Sequence, residues 1–285
     1  MNSDIMHAIM YLLIAGAVFI FVITAEAVYL KVKGVEGAYD LKETASNLFA
    51  GFNYKLLDGV FVALVAAGVH EYFYQHGLKY SFENKWIAYP LLFLLTDLSF
   101  YQGHVLMHKV RYFWCAHHNH HSSARYNFST ALRQNFLVDF SGIFLLMVIP
   151  LALIGFDKTS VVVALELNLF YQFFVHTTVI KRMPNWVEMI FSTPSHHRVH
   201  HGKNPAQIDT NFGGVLIVWD RIFGTFIDER NAGEIAYGVA FRQPSTNNPF
   251  RLALMEFFSM CSDVWRYKDI RIVWKRPDWV EERYR

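Results

Sequence analysis

Residues 115–123 read CAHHNHHSS, placing four histidines in five positions of a chain that is 53% hydrophobic and only 18% charged. Imidazole is costly to bury without a partner, and it is the commonest protein metal ligand. A cluster of this kind beside apolar segments therefore asks first for a metal. Working outward, His117, His120 and His121 stand at i, i+3, i+4, and the same spacing returns at His197, His200 and His201. His104 and His108 are four apart, so on a helix they share one face. His176 follows Asn168 and Gln172 at four-residue steps, which draws a polar stripe down an otherwise oily segment. Eleven of the fourteen histidines fall between 104 and 201; His7, His70 and His76 read as ordinary polar or packing residues.

The period of these motifs is helical, and the composition places the helices in a membrane. With 17% aromatic residues, the chain is too apolar for an ordinary soluble domain of 285 residues. A bilayer core takes about 20 apolar residues per helix. Five segments qualify, at 5–28, 56–73, 86–105, 136–156 and 160–180. The first lacks the basic start of a cleaved signal, having Asn2, Ser3 and Asp4, and it is followed by Lys31 and Lys33. Lys31, Lys33, Lys42 and Lys55 follow the first span, and Lys109, Arg111, Arg125 and Arg133 follow the third, against Lys79, Lys85 and Lys158 on the other side. The excess predicts an outward N-terminus and a cytoplasmic active site. Cys115 and Cys261 lie far apart on the reducing side, so no disulfide is expected, and Cys115 reads as packing.

The expected fold is an all-α integral membrane protein. Four to five transmembrane helices form a bundle over 1–182, which holds the first two histidine groups. A cytosolic helical cap over 183–285 carries the third. In the cap, FGGVLIVWDRIFGTF (212–226) is apolar enough to pack on the bundle, and Trp265, Trp274 and Trp279 suit a headgroup region. No internal repeat is evident.

Two predicted spans separate the second and third histidine groups, so both return to one face, where His104, His108 and His176 also end. Unliganded, two protonated imidazoles about 4 Å apart would repel by about 4 kcal/mol at an effective dielectric of 20. Metal holds such rings neutral and ordered. Nine imidazoles (His104, His108, His117, His120, His121, His176, His197, His200 and His201) exceed the capacity of one ion, so two metals share them. Nitrogen ligation alone suits iron, zinc, copper or nickel. A redox pair opening onto lipid suits oxidation of unactivated C–H bonds, which side chains cannot perform unaided. Asp97, two turns before His104, is expected to accept a ligand's ring N–H, with Asn168, Gln172, His118 and His196 in supporting places. Glu166 is expected to be buried without an assigned role. Asn127, Ser129, Thr130, Arg133 and Gln134 read as braces for the histidine helices.

The boxes HVLMH (104–108), HHNHH (117–121) and HHRVHH (196–201) resemble those of the membrane-bound fatty acid hydroxylase and sterol desaturase superfamily. YNFSTALRQ, LFYQFFVHT and TPSHHRVHHGKNP are most similar to its alkylglycerol monooxygenase-like members. The resemblance implies a di-iron centre on the nine histidines, O2, and two electrons from an external donor, either tetrahydrobiopterin or a reductase, ferredoxin or cytochrome. It implies hydroxylation of a lipid-like substrate, with desaturation as the alternative outcome at the same site. The first box departs from those members at Val105 and Lys109, where Arg and Glu are common. A metal transporter would want ligands near the midplane in repeated halves, and a structural zinc protein needs fewer ligands. No nucleic-acid partner is expected.

Overall fold

The computed structural model describes residues 3–284 and is helical throughout. Among those residues, extended pairing is limited to two isolated bridges, Phe191 with Leu216 and Gly202 with Tyr237. Met1 and Asn2, and the side chain of His7, lie outside what is described.

Helix α1 (Ser3–Val32) is an apolar run that ends at Gly34, a residue in the left-handed region at φ +71°. Helix α2 (Leu41–Phe61) starts where the Asp40 carboxylate accepts from Glu43 N at 2.9 Å. It continues through a π turn (Val62–Ala66) into α3 (Ala67–His76), so 41–76 is one unbroken element, longer than the predicted 56–73. By length and composition, Leu13–Val32 and Leu41–His76 are the two candidate membrane-crossing helices among the described residues.

Helix α4 (Lys85–Lys109), capped by Asn84, carries the first histidine pair at its end. The chain bends at Val110 into α5 (Arg111–His121), which carries the second group. The predicted segment 136–156 divides into α6 (Leu137–Phe140) and α7 (Ile143–Ile154), because Gly142 takes φ +81° between them. At 1.5 Å per residue the 12 residues of α7 reach only about 18 Å, short of a 30 Å hydrocarbon layer. Helix α8 (Lys158–Phe173) starts on the Asp157 cap and stops before His176. Helices α7 and α8 pack as a hairpin on α4 through Leu92, Val148, Leu151, Val161 and Leu165, returning the chain to the histidine end. The return that parity of crossings predicts is thus made by a shorter hairpin. Glu166 is corrected: it lies on the outer face of α8, 51% exposed, and its carboxylate accepts from Lys55 Nζ at 2.7 Å.

The remaining helices are α9 (Asn185–Ile190), α10 (Pro194–His200), α11 (Val218–Phe223), α12 (Pro249–Tyr267) and α13 (Pro277–Tyr284). Cys115 of α5 packs with Met260 of α12, Ile272 and Val280. At this contact Arg111, 1% exposed, donates to Glu256 at 2.9 Å and to Asp263 at 2.7 Å. The helix that carries the second histidine group is thereby backed by a packed C-terminal segment. Trp265 and Trp274 stay exposed.

Candidate metal centre

All nine predicted histidines are buried and converge. They divide into two groups, His104, His108, His117, His121 and His200 in one and His120, His176, His197 and His201 in the other, with one nitrogen from each ring lying within 4.8 Å of the others in its group. Helical geometry explains the division. On α5, His117 and His121 are about 40° apart around the axis, whereas His120 is about 100° from His121. The same offset on α10 sends His200 to one group and His197 with His201 to the other. Each box therefore contributes to both groups except HVLMH, which serves the first alone.

Backbone carbonyls set the ring orientation. His104 Nδ1 donates to the Phe212 carbonyl at 2.8 Å, His200 Nδ1 to that of Thr210 at 2.8 Å, and His176 Nδ1 to that of Gln172 at 2.7 Å. A carbonyl accepts only from N–H, so in these neutral rings Nε2 is left with its lone pair. Those Nε2 atoms face inward: His104 Nε2 is 3.1 Å from His117 Nε2, and His176 Nε2 is 3.2 Å from His120 Nε2 and 3.0 Å from His197 Nε2. His108, His200 and His201 each bury an Nε2 that takes no hydrogen bond. Lone pairs aimed at one another without donors are the arrangement a cation satisfies, and five plus four nitrogens fit two transition ions.

Electrostatics agrees with ligation. Burial, reinforced by the neighbouring rings, holds His117, His120, His121, His197, His200 and His201 well below the usual imidazole range. Both metal binding and the folded state thus prefer the neutral rings. The sign follows: unfolded histidines take up protons near pH 6.5, the folded ones do not, and acid therefore favours unfolding. The melting midpoint of metal-free, detergent-purified chain should be level above about pH 7 and fall as pH drops through 6.5 toward 5. Bound metal should be released over the same acid range, and a midpoint that rises on acidification contradicts the account.

The supporting residues are placed differently from expectation. Asp97 accepts no ring N–H; it accepts from Val215 N (2.9 Å), Leu216 N (3.0 Å), Trp219 Nε1 (2.9 Å) and Asn168 Nδ2 (2.6 Å). Gln172 Nε2 donates in turn to Asn168 Oδ1 at 2.6 Å. Asp97 thus anchors the 212–219 loop, and it is Phe212 of that loop that receives His104. His176 lies three residues past the end of α8, so the helical stripe stops at Gln172 and a turn carries the ring inward. His196 contacts Glu188 at 3.0 Å, away from both groups, while His118 is buried beside Trp114. Cys115 is buried against Met260, with Sγ 3.8 Å from Sδ.

The polar segment after the second box braces it. Arg133 donates to the Asn119 carbonyl at 3.0 Å, to Ser122 Oγ at 3.1 Å and to Asn47 Oδ1 at 3.0 Å. Asn127 Nδ2 reaches the Ala38 carbonyl at 2.7 Å. Sequence reading missed Asp209, Thr210, Asn211 and Phe212. Two of these act through carbonyls, which leave no trace in residue type.

A helical bundle that buries nine imidazoles in two adjoining groups has the ligand set of a histidine-rich metal centre. Its family follows from the match of residues 89–225, a segment containing all nine rings, to the fatty acid hydroxylase family model: the chain belongs to that family. It is 40% identical over 202 residues to an alkylglycerol monooxygenase of Homo sapiens, covering 69% of this chain and 43% of that protein. It is 36% identical over 209 residues to one of Danio rerio, covering 72% and 45%. Ornithine lipid hydroxylase OlsE of Rhizobium tropici is 30% identical over 165 residues, covering 58% and 48%. The chain spans about half the length of the curated relatives it matches. No solved structure matches it.

Proposed function

We propose that this chain is a multi-pass, membrane-bound di-iron monooxygenase that hydroxylates a C–H bond of a lipid-like substrate, its site facing the cytoplasm. In this reading 1–182 forms the membrane bundle, with α7 and α8 as a hairpin within it, and 183–285 forms the cap. The observation that carries the proposal is the pair of buried histidine groups, supported by relatives named as lipid-oxidising enzymes.

The nine imidazoles hold the metals; a bound iron pair supplies the oxygen-activating redox chemistry that side chains lack. The chain's own work is orientation and exclusion of water. The carbonyls of Phe212, Thr210 and Gln172 keep three rings in the tautomer that presents Nε2. An apolar cavity between α2, α7 and α8, lined in part by Phe61, Val148 and Leu165, suits an acyl or alkyl chain. Tyr54, Phe144 and Leu169 also line it, and they join the core of Phe100, Met107 and Met147; the Phe100 ring lies 5.4 Å from that of His104. That continuity would bring one C–H bond toward the metals, and its pose decides the product. Electrons come from an external donor.

Metal analysis of detergent-purified chain, coupled to lipid profiling of cells expressing it or its His120→Ala form, tests the reading. About two irons per chain and a hydroxylated lipid that His120→Ala abolishes are expected, by the count of four to six ligands per ion. Lipid profiles identical between the two forms would sink it.

A further inference from the structure

One short loop, 209–212, faces three rings of the five-histidine group. Besides the carbonyls of Thr210 and Phe212, it brings Asp209 Oδ1 to 3.7 Å from His108 Nδ1. The other nitrogen of that ring, Nε2, is buried without a hydrogen bond. Asp209 Oδ2 is in turn 3.3 Å from Arg276 Nη1, in the residue preceding α13, and Arg276 also pairs with Asp278 at 2.5 Å. A cavity lined by His108, His121, His200, Asp209, Phe241 and Arg276 shows that this C-terminal turn walls the histidine group directly.

The loop is held in a conformation that side chains resist. Asp209 and Asn211 take φ +61° and +53°, left-handed values that persist only where the surroundings impose them. Here they are imposed. Asn211 Nδ2 donates to the His196 and Ile227 carbonyls at 3.1 and 2.8 Å, and Asp220 accepts from Phe212 N and Gly213 N, each at 2.7 Å. The four-histidine group has no equivalent backing: only His176 bonds a carbonyl through Nδ1, and the Nδ1 atoms of His120 and His197 are buried without a hydrogen bond.

We propose that Asp209, held by Arg276, is a positioning residue that orients His108 toward its metal, so that the 209–212 loop and the C-terminal turn support one of the two metal sites selectively. The inference rests on the metal-binding reading above. A carboxylate on the far side of a ligand ring favours N–H at Nδ1 and makes Nε2 more basic, and losing such a partner typically costs about 10- to 100-fold in metal affinity.

The test uses the whole chain in detergent, loaded anaerobically with Fe(II), and follows metal extraction by a chromophoric chelator. Asp209→Gly removes the carboxylate while keeping a backbone that glycine adopts freely. It should release one of the two irons about 10- to 100-fold faster and leave the second at the wild-type rate. The melting midpoint of its metal-free form should be unchanged. Arg276→Met should accelerate the same phase by less, and His197→Ala, in the other group, should remove the other phase and so assign the two. Wild-type release of both irons from Asp209→Gly overturns the inference, as does equal acceleration of both phases together with a lower metal-free midpoint. A wild-type chain that binds no iron overturns the functional reading itself, and this inference with it.

Discussion

Replacing Asp97 by alanine should unfold much of the protein or strip its metal, at a cost of about 3–5 kcal/mol, the loss of four buried hydrogen bonds after partial relaxation. The carboxylate is fully buried and accepts from two backbone N–H groups of the 212–219 loop, the Trp219 indole and the Asn168 amide. Alanine leaves all four donors without an acceptor, and each buried unsatisfied group costs about 1–3 kcal/mol before relaxation. The damage reaches the metals indirectly, because the same loop presents the Phe212 carbonyl to His104. Metal content and thermal midpoint of the purified variant are the measurements. Asp97→Ala protein with unchanged metal and unchanged midpoint would show that the loop is held by other contacts.

Arg111→Met should cost a similar amount, about 3–5 kcal/mol, by leaving buried carboxylates uncompensated. Arg111 stands at the first turn of α5 and donates to Glu256 and Asp263 of α12, while Arg242 also pairs with Asp263 at 2.6 Å. The methionine keeps the apolar stem but loses the fork of donors. Since α12 packs along the helix that carries HHNHH, the loss should loosen the second histidine group. Denaturation of Arg111→Met beside an Arg111→Met, Glu256→Gln double variant separates the two parts of the cost: partial recovery in the double variant identifies the orphaned Glu256 charge, and no recovery assigns the loss to packing.

Much of the candidate centre was legible in the sequence because its logic is periodic. Histidines at i, i+3 and i+4 project toward one side of a helix, and the eight chosen that way meet in the structure, with His176 brought in by a turn. The resemblance to the fatty acid hydroxylase family, carried by the same boxes, is borne out by the match over 89–225. The segment lengths were less legible. Hydropathy runs on through Gly142, yet its positive φ breaks 136–156 into two helices, and the apolar run at 160–180 stops being helical at Phe173. Asp97 was recognised as a buried partner from its place on the helix, but three of its four donors lie about 120 residues away, and two of those are backbone N–H groups.

The sequence by itself determined which rings gather and how many, because side-chain chemistry and the 3.6-residue turn are local properties. Only the tertiary structure decided that the rings divide five and four, and which nitrogen of each faces inward. The division needs α4, α5 and α10 to meet, and the orientation of three rings depends on carbonyls at Thr210, Phe212 and Gln172 and on the left-handed turn at Asp209. Every residue carries a carbonyl, so where one points is a property of the folded backbone and not of the residue's identity.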